Sequence, residues 1–146
     1  MKIDYNNIGI GTLAIGSVLN NGNQLSVAKA SLILPFIMHN ESLNYLARSN
    51  TKIKSLENLI AEKTSYFSNF NARYYDSLEV SFSSIQYLTE MGYVRFKDDF
   101  LISIKPMEYD NKMGNRANKI FQAANNVSSI LATNDANLFL NLRIEL

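Results

Sequence analysis

LEVSFSSIQYLTEMG-YVRF-KDD-FLISI, residues 78–104, is the stretch on which the reading of this chain turns. Leu78, Phe82, Ile85 and Leu88 recur at three- and four-residue intervals, which places them on one face of a helix. Gly92 ends that helix, because glycine accepts the left-handed backbone found just past a helix end. The period then changes. Tyr93-Val94-Arg95-Phe96 and Phe100-Leu101-Ile102-Ser103-Ile104 are short β-type runs on either side of Lys97-Asp98-Asp99, and a polar turn between such runs predicts a hairpin. Helix, glycine, strand, turn, strand is the order of a winged helix-turn-helix, in which the helix before the hairpin would enter a DNA groove.

Outward from this stretch the chain is helical on both sides. Met1 to Gly11 reads as an irregular lead-in, with Thr12 capping a helix that ends at Asn20-Asn21-Gly22-Asn23. Gln24 or Ser26 opens a second helix through Met38, whose Leu32, Ile33, Leu34, Phe36 and Ile37 are apolar on every face, so it is expected to be buried at the centre. Pro35 is expected to kink it or shift its register. A short helix from Ser42 to Arg48 turns Leu43 and Leu46 inward. Ser55 caps another, which breaks near Ser68-Asn69 or runs on to Tyr75, and Asp76 or Ser77 opens the helix of residues 78–92. After a loop from Pro106 to Met113, Gly114 or Asn115 opens a long helix burying Ala117, Ile120, Phe121, Ala124, Val127 and Leu131. Asn134-Asp135 re-caps the chain before a last helix, Ala136 to Leu142. The expectation is one domain over residues 1–146, mainly α with a small β-hairpin: a helical part at 1–76, a winged-helix-like part at 77–105 and a helical part at 114–146.

Composition narrows the function. With 47% apolar residues the chain can build a core without a disulfide or a structural metal, and the absence of cysteine removes thiolate chemistry altogether. Fourteen Lys and Arg against thirteen Asp and Glu leave no basic excess of the kind that phosphate neutralisation requires. The start Met-Lys-Ile-Asp-Tyr lacks the apolar core of a secretory signal. The longest apolar run, Leu32 to Met38, is far short of the ~20 residues of a spanning helix. A soluble, cytoplasmic chain is expected.

Individual residues are equally discouraging for catalysis. His39 is the sole histidine and has no set of partner carboxylates, so it reads as a polar residue at a helix end. Gly9 to Gly16 resembles a nucleotide loop but lacks the preceding strand and the lysine of a phosphate loop. Asp98, Asp99, Glu108 and Asp110 lack calcium-loop spacing. Between Leu78 and Gly92 there is no Lys or Arg, while Glu79 and Glu90 are present, so this helix is poorly charged for DNA. Its outward residues are expected to be Ser81, Ser83, Ser84 and Gln86. No catalytic, cofactor-binding or metal-ligating residue is assigned. Aromatic residues at helical spacing and apolar C-terminal residues belong either to the core or to a protein interface, and Tyr66, Phe70, Tyr74, Tyr75, Leu138, Phe139, Leu142 and Ile144 are the interface candidates.

One family shares this order of segments. A helix after Asn6-Asn7 is followed by Leu32-Ile33-Leu34-Pro35-Phe36-Ile37-Met38-His39. A helix then runs into Leu88-Thr89-Glu90-Met91-Gly92-Tyr93-Val94, and a closing helix ends in Leu140-Asn141-Leu142-Arg143-Ile144. Over nearly its whole length the chain resembles the middle component of the ABC three-component systems, prokaryotic conflict systems built around an ABC-type ATPase. The resemblance implies an adaptor encoded beside an SMC-like ABC ATPase and an effector with a nuclease or other toxic domain. It would couple the two in defence against phage, without catalytic residues of its own, without direct nucleic-acid or membrane contact, and with room for a homo-oligomer inside the complex. The chain departs from the pattern in its shorter, Asn-rich loops. The competing expectation is a winged-helix transcriptional regulator, which would need a basic face assembled from Lys52, Lys54, Arg95, Lys97 and Lys105.

Overall fold

A computed structural model describes residues 5–146. It is mainly helical, with a small antiparallel sheet in a winged-helix-like arrangement. In chain order it holds α1 (Tyr5–Leu19), β1 (Gln24–Ser26), α2 (Val27–Ala30), α3 (Ile33–Ile37), α4 (Asn40–Leu46), α5 (Leu56–Glu62), α6 (Phe70–Glu90), β2 (Val94–Lys97), β3 (Phe100–Ser103), α7 (Asn115–Ile130) and α8 (Asp135–Asn141). No helix among the described residues is long and apolar enough to cross a membrane.

The all-round apolar segment lies at the centre, as its composition requires: Leu32, Ile33, Leu34, Phe36 and Ile37 are all fully buried. The single helix expected from Ser26 to Met38 does not form. Residues 24–26 pair as a strand, and α2 closes after one turn, with Ser31 Oγ donating to the Ala28 carbonyl at 2.6 Å and Leu32 N–H donating to the Lys29 carbonyl at 3.0 Å. This early break places Pro35 in the first turn of α3, where the missing N–H has no intrahelical acceptor to lose. Pro35 therefore kinks nothing.

Around α3 stand α1, α6, α4 and α7. Three expectations about α1 and α6 need correction. First, α1 begins by Tyr5, so residues 5–11 are helical rather than a lead-in, and Thr12 is a buried interior residue rather than a cap; the expectation for residues 1–4 lies outside the described residues. Second, α6 is continuous through Asp76 and Ser77, with the Ser77 hydroxyl donating back to the Tyr74 carbonyl at 3.0 Å instead of capping a new helix. Third, α6 is rotated only in part from the expected face: Leu78, Ile85 and Leu88 pack inward as expected, but Phe82 does not. Ser77, Ser81 and Ser84 are buried with Val80, Ile85 and Leu88, while Phe82 is 50% exposed.

The cause of that rotation is the closeness of α1. A Cβ on Gly11 would collide with Ser84 Oγ and stand 3.1 Å from Ser84 Cβ and 3.3 Å from Leu34 Cδ1. Small side chains on both helices let the backbones approach, and the burial of Ile15, Val18 and Leu88 beside them stabilises the contact. The apolar stripe of α7 is displaced in a similar way: Ile120, Ala124, Val127 and Leu131 are buried as expected, together with Ala123 and Ile130, but Phe121 stays exposed, stacked on Tyr109.

The hairpin forms where the turn chemistry places it. Val94 pairs with Ser103 and Lys97 with Phe100 across a turn whose Asp98 has φ 55°. Gly92, at φ 79°, ends the approach from α6. A third strand, which the expected helix at 24–38 had hidden, completes the sheet: β1 pairs antiparallel with β3, Ser26 opposite Phe100, giving the order β1-β3-β2. The caps at Ser55 and Asn134 stand as expected, accepting from the backbone N–H of Asn58 and Asn137 at 3.1 and 2.9 Å. Two side-chain amides hold loops. Asn20 exchanges two 2.9 Å hydrogen bonds with the backbone of Met107. Asn126, buried in α7, donates to the carbonyls of Leu46 and Thr51 at 2.9 and 3.1 Å and accepts from Ile53 N–H at 3.3 Å.

Two outcomes follow from this packing. Gly11→Ala lowers stability by about 1–3 kcal/mol through overpacking, and adding Ser84→Ala recovers most of the loss; urea unfolding of the four members of the double-mutant cycle reads the coupling. Asn126→Ala leaves three backbone groups without their partner and lowers stability by about 2–4 kcal/mol, with the Ile53 amide losing protection in hydrogen exchange.

Candidate functional site

Phe70, Tyr74, Leu138, Leu142 and Ile144 are buried in the chain's own core. Tyr74 shows how completely: its ring meets Phe139 edge-on at 5.7 Å and its hydroxyl lies 3.2 Å from Ser31 Oγ. Tyr66 is half-buried, edge-on to His39 and Tyr45, and its carbonyl accepts from the Arg73 guanidinium. Tyr75 is exposed, and its hydroxyl donates to the Glu145 carbonyl, while Glu145 N–H donates to Asn71 Oδ1 at 2.9 Å. The C-terminal residues are thus strapped across the first turns of α6. Of the eight residues, Tyr74 and Phe139 line the surface groove described next.

That groove follows the outer side of α6 in two adjoining lobes. One, of about 410 Å³, lies between α6, α2 and α8 and is walled by Val27, Tyr74, Phe82, Ala136, Phe139 and Leu146. The other, of about 460 Å³, lies between α6 and the wing and is walled by Val27, Phe82, Ile85, Thr89 and Phe96. Val27 and Phe82 belong to both, so Phe82 forms the ridge between them. Phe96 is 51% exposed and Leu146 94% exposed. Sequence reasoning missed Phe82 by turning it inward. The signal that could have found it is the spacing of Ser77, Ser81 and Ser84, a stripe of small residues that marks the side of close helix approach.

The electrostatics of the groove are one-sided. Asp135 stands in the first lobe, accepting from Ser26 Oγ at 2.9 Å, and Glu90 in the second, accepting from Gln86 Nε2 at 3.1 Å. Among the described residues no lysine or arginine lines either lobe. Strand alternation puts Arg95 and Lys97 on the sheet face opposite Val94 and Phe96. Lys105 lies over the Tyr93 ring, 4.3 Å from its centroid. The five cations of the expected basic face thus fall into two groups along the chain, Lys52 and Lys54 in the segment that Asn126 fastens to α7, and Arg95, Lys97 and Lys105 in and beside the wing.

Among the described residues no group of three His, Asp or Glu side chains is gathered as a metal site would need. Gly9 to Gly16 lies inside α1 and forms no phosphate loop. Asp110 caps the single turn Asn111–Met113, accepting from Lys112 N–H at 2.9 Å. A further depression of about 690 Å³, walled by Ile8, Leu13, Tyr87, Met113 and Arg116 among others, lies between α1 and α7.

Comparison with known proteins gives one match. The family model for the ABC-three component (ABC-3C) system Middle Component 3 matches residues 14–146. No curated protein and no solved structure matches.

His39 is the helix-end polar residue that its context suggested. It caps α4, its Nδ1 accepting from Ser42 N–H at 3.3 Å and lying 2.7 Å from Ser42 Oγ. Its pKa is held below the ordinary 6.5 by partial burial and then by the nearby Arg73 guanidinium, against a smaller opposing pull from Glu41. The unfolded chain therefore takes up the proton first. The cap's contribution is fully present above pH 6.5 and is lost as pH falls through the lowered folded value. His39→Asn keeps a capping acceptor that does not titrate, so the melting temperature of this variant changes less than wild type between pH 7 and pH 5.5; equal pH profiles would refute the assignment.

Proposed function

We propose, since the chain belongs to the ABC-three component (ABC-3C) system Middle Component 3 family, that it is a non-catalytic adaptor coupling an ABC-type ATPase to an effector. The setting we propose is a cytoplasmic prokaryotic defence complex directed against phage or other invading DNA. A middle component has partner components in the same system, and this chain brings a finished core together with apolar surface that the core does not use. The observation that carries the reading is the groove: Phe82 and Phe96 sit in a continuous apolar depression on a monomer whose other large apolar side chains are mostly buried.

Energy then comes from the ATPase and chemistry from the effector. The adaptor contributes a surface that fits one ATPase state better than another, since only a difference in affinity between states can pass on a conformational change. The alternative, a winged-helix regulator of transcription, is disfavoured by the same helix. The free side of α6 presents Glu79 and Glu90 with no cation between Leu78 and Gly92, and a DNA backbone would be repelled by it.

Co-expression with the other two components of its own system is expected to yield one complex on gel filtration. The chain's affinity for the ATPase is expected to differ at least about tenfold, roughly 1.4 kcal/mol, between nucleotide-free and ATP-bound states. A chain that elutes alone beside both folded partners overturns the adaptor reading, and equal affinities overturn the coupling.

A further inference from the structure

The wing adds Phe96 of β2, an edge strand, to the groove wall, but most of that wall belongs to the helices α6, α2 and α8, whose backbone groups are bonded within each helix. An extended segment laid on them would leave its own amides unpaired, whereas a helix satisfies them internally. From Tyr74 to Glu90 the groove follows α6 for about 24 Å at 1.5 Å per residue, the length of a helix of about four turns. The charge adds a second constraint. Asp135 and Glu90 stand one in each lobe, Glu79 is exposed on the same helix as Glu90, and among the described residues no cation lines the groove. Two copies of the chain meeting groove to groove would set these carboxylates against each other.

We infer that the groove receives an amphipathic, basic helix from a partner component of the complex. Its apolar side chains, spaced by three and four residues, seat against Phe82 and Phe96, and its lysines or arginines meet Glu90 and Asp135. The inference rests on the adaptor reading and adds to it the chemistry of the partner segment.

The test titrates full-length chain against the purified ABC-type ATPase component and against the third component, each at low and at raised salt. For the component that uses the groove, Phe82→Ala weakens binding at least about tenfold. Phe82 is half-exposed, so the variant keeps the wild-type circular dichroism spectrum. Glu90→Lys, a surface change independent of core packing, weakens binding more than Glu90→Gln, and wild-type affinity falls as salt rises. Hydrogen exchange on the partner protects a helical segment in which Lys or Arg flank apolar residues. Tight wild-type binding that is unmoved by Phe82→Ala and Glu90→Lys overturns the groove proposal and leaves the adaptor reading standing. So does a protected partner segment that is acidic or extended, or a dimer of the isolated chain that Phe82→Ala abolishes. Wild-type chain that binds neither component sinks the adaptor reading itself.

Discussion

The close contact between α1 and α6 governs the rest of this molecule. Gly11 lies against Ser84 with no space for a methyl group, and that closeness sets the rotation of α6 about its axis. Once Ser84 and Ser81 face inward, Phe82 must face outward. The helix then offers one side to the core and a different, aromatic side to solvent. Small volume outweighs polarity at this seam. Among the described residues the hydroxyl of Ser81 in α6, and those of Thr12 and Ser17 in α1, are buried without a hydrogen-bond partner, a penalty of about 1–3 kcal/mol each if fully desolvated. They are tolerated where a larger apolar residue would force the helices apart.

Much of the fold was legible in the chain itself, and what was legible has a common character. The hairpin, the Gly92 stop, the Ser55 and Asn134 caps and the buried Leu32–Ile37 segment depend on residues within a few positions of one another. What escaped depends on distant partners. Tyr5 to Gly11 is helical despite two glycines because α6 lies beside it, so packing overrides weak propensity. Gln24 to Ser26 is a strand because β3 is there to pair with it. The face of α6 was misread because large apolar residues were assumed to point inward, although the stripe of serines carried the better signal.

The groove follows from the same facts. Five of the eight interface candidates are consumed by the core, and Tyr74 of α6 meets Phe139 of α8 edge-on. The surface left over is smaller and more specific: an aromatic ridge with a carboxylate in the lobe on each side of it. Membership of the Middle Component 3 family gives such a surface a natural context, because a middle component has partner components in the same system. The sheet keeps its cations on the opposite face from Phe96, so wing and groove present different charge to whatever approaches them.

The pairing of β1 with β3 joins Ser26 to Phe100, about seventy residues later in the chain. At the ~5–20 residues per second of protein synthesis, the first strand leaves the ribosome roughly 4–15 s before its neighbour exists. During that interval Leu25 and Val27 have no sheet to join, and the groove lacks its far wall. The groove is therefore finished late in translation, and no nascent fragment ending before the hairpin can present it.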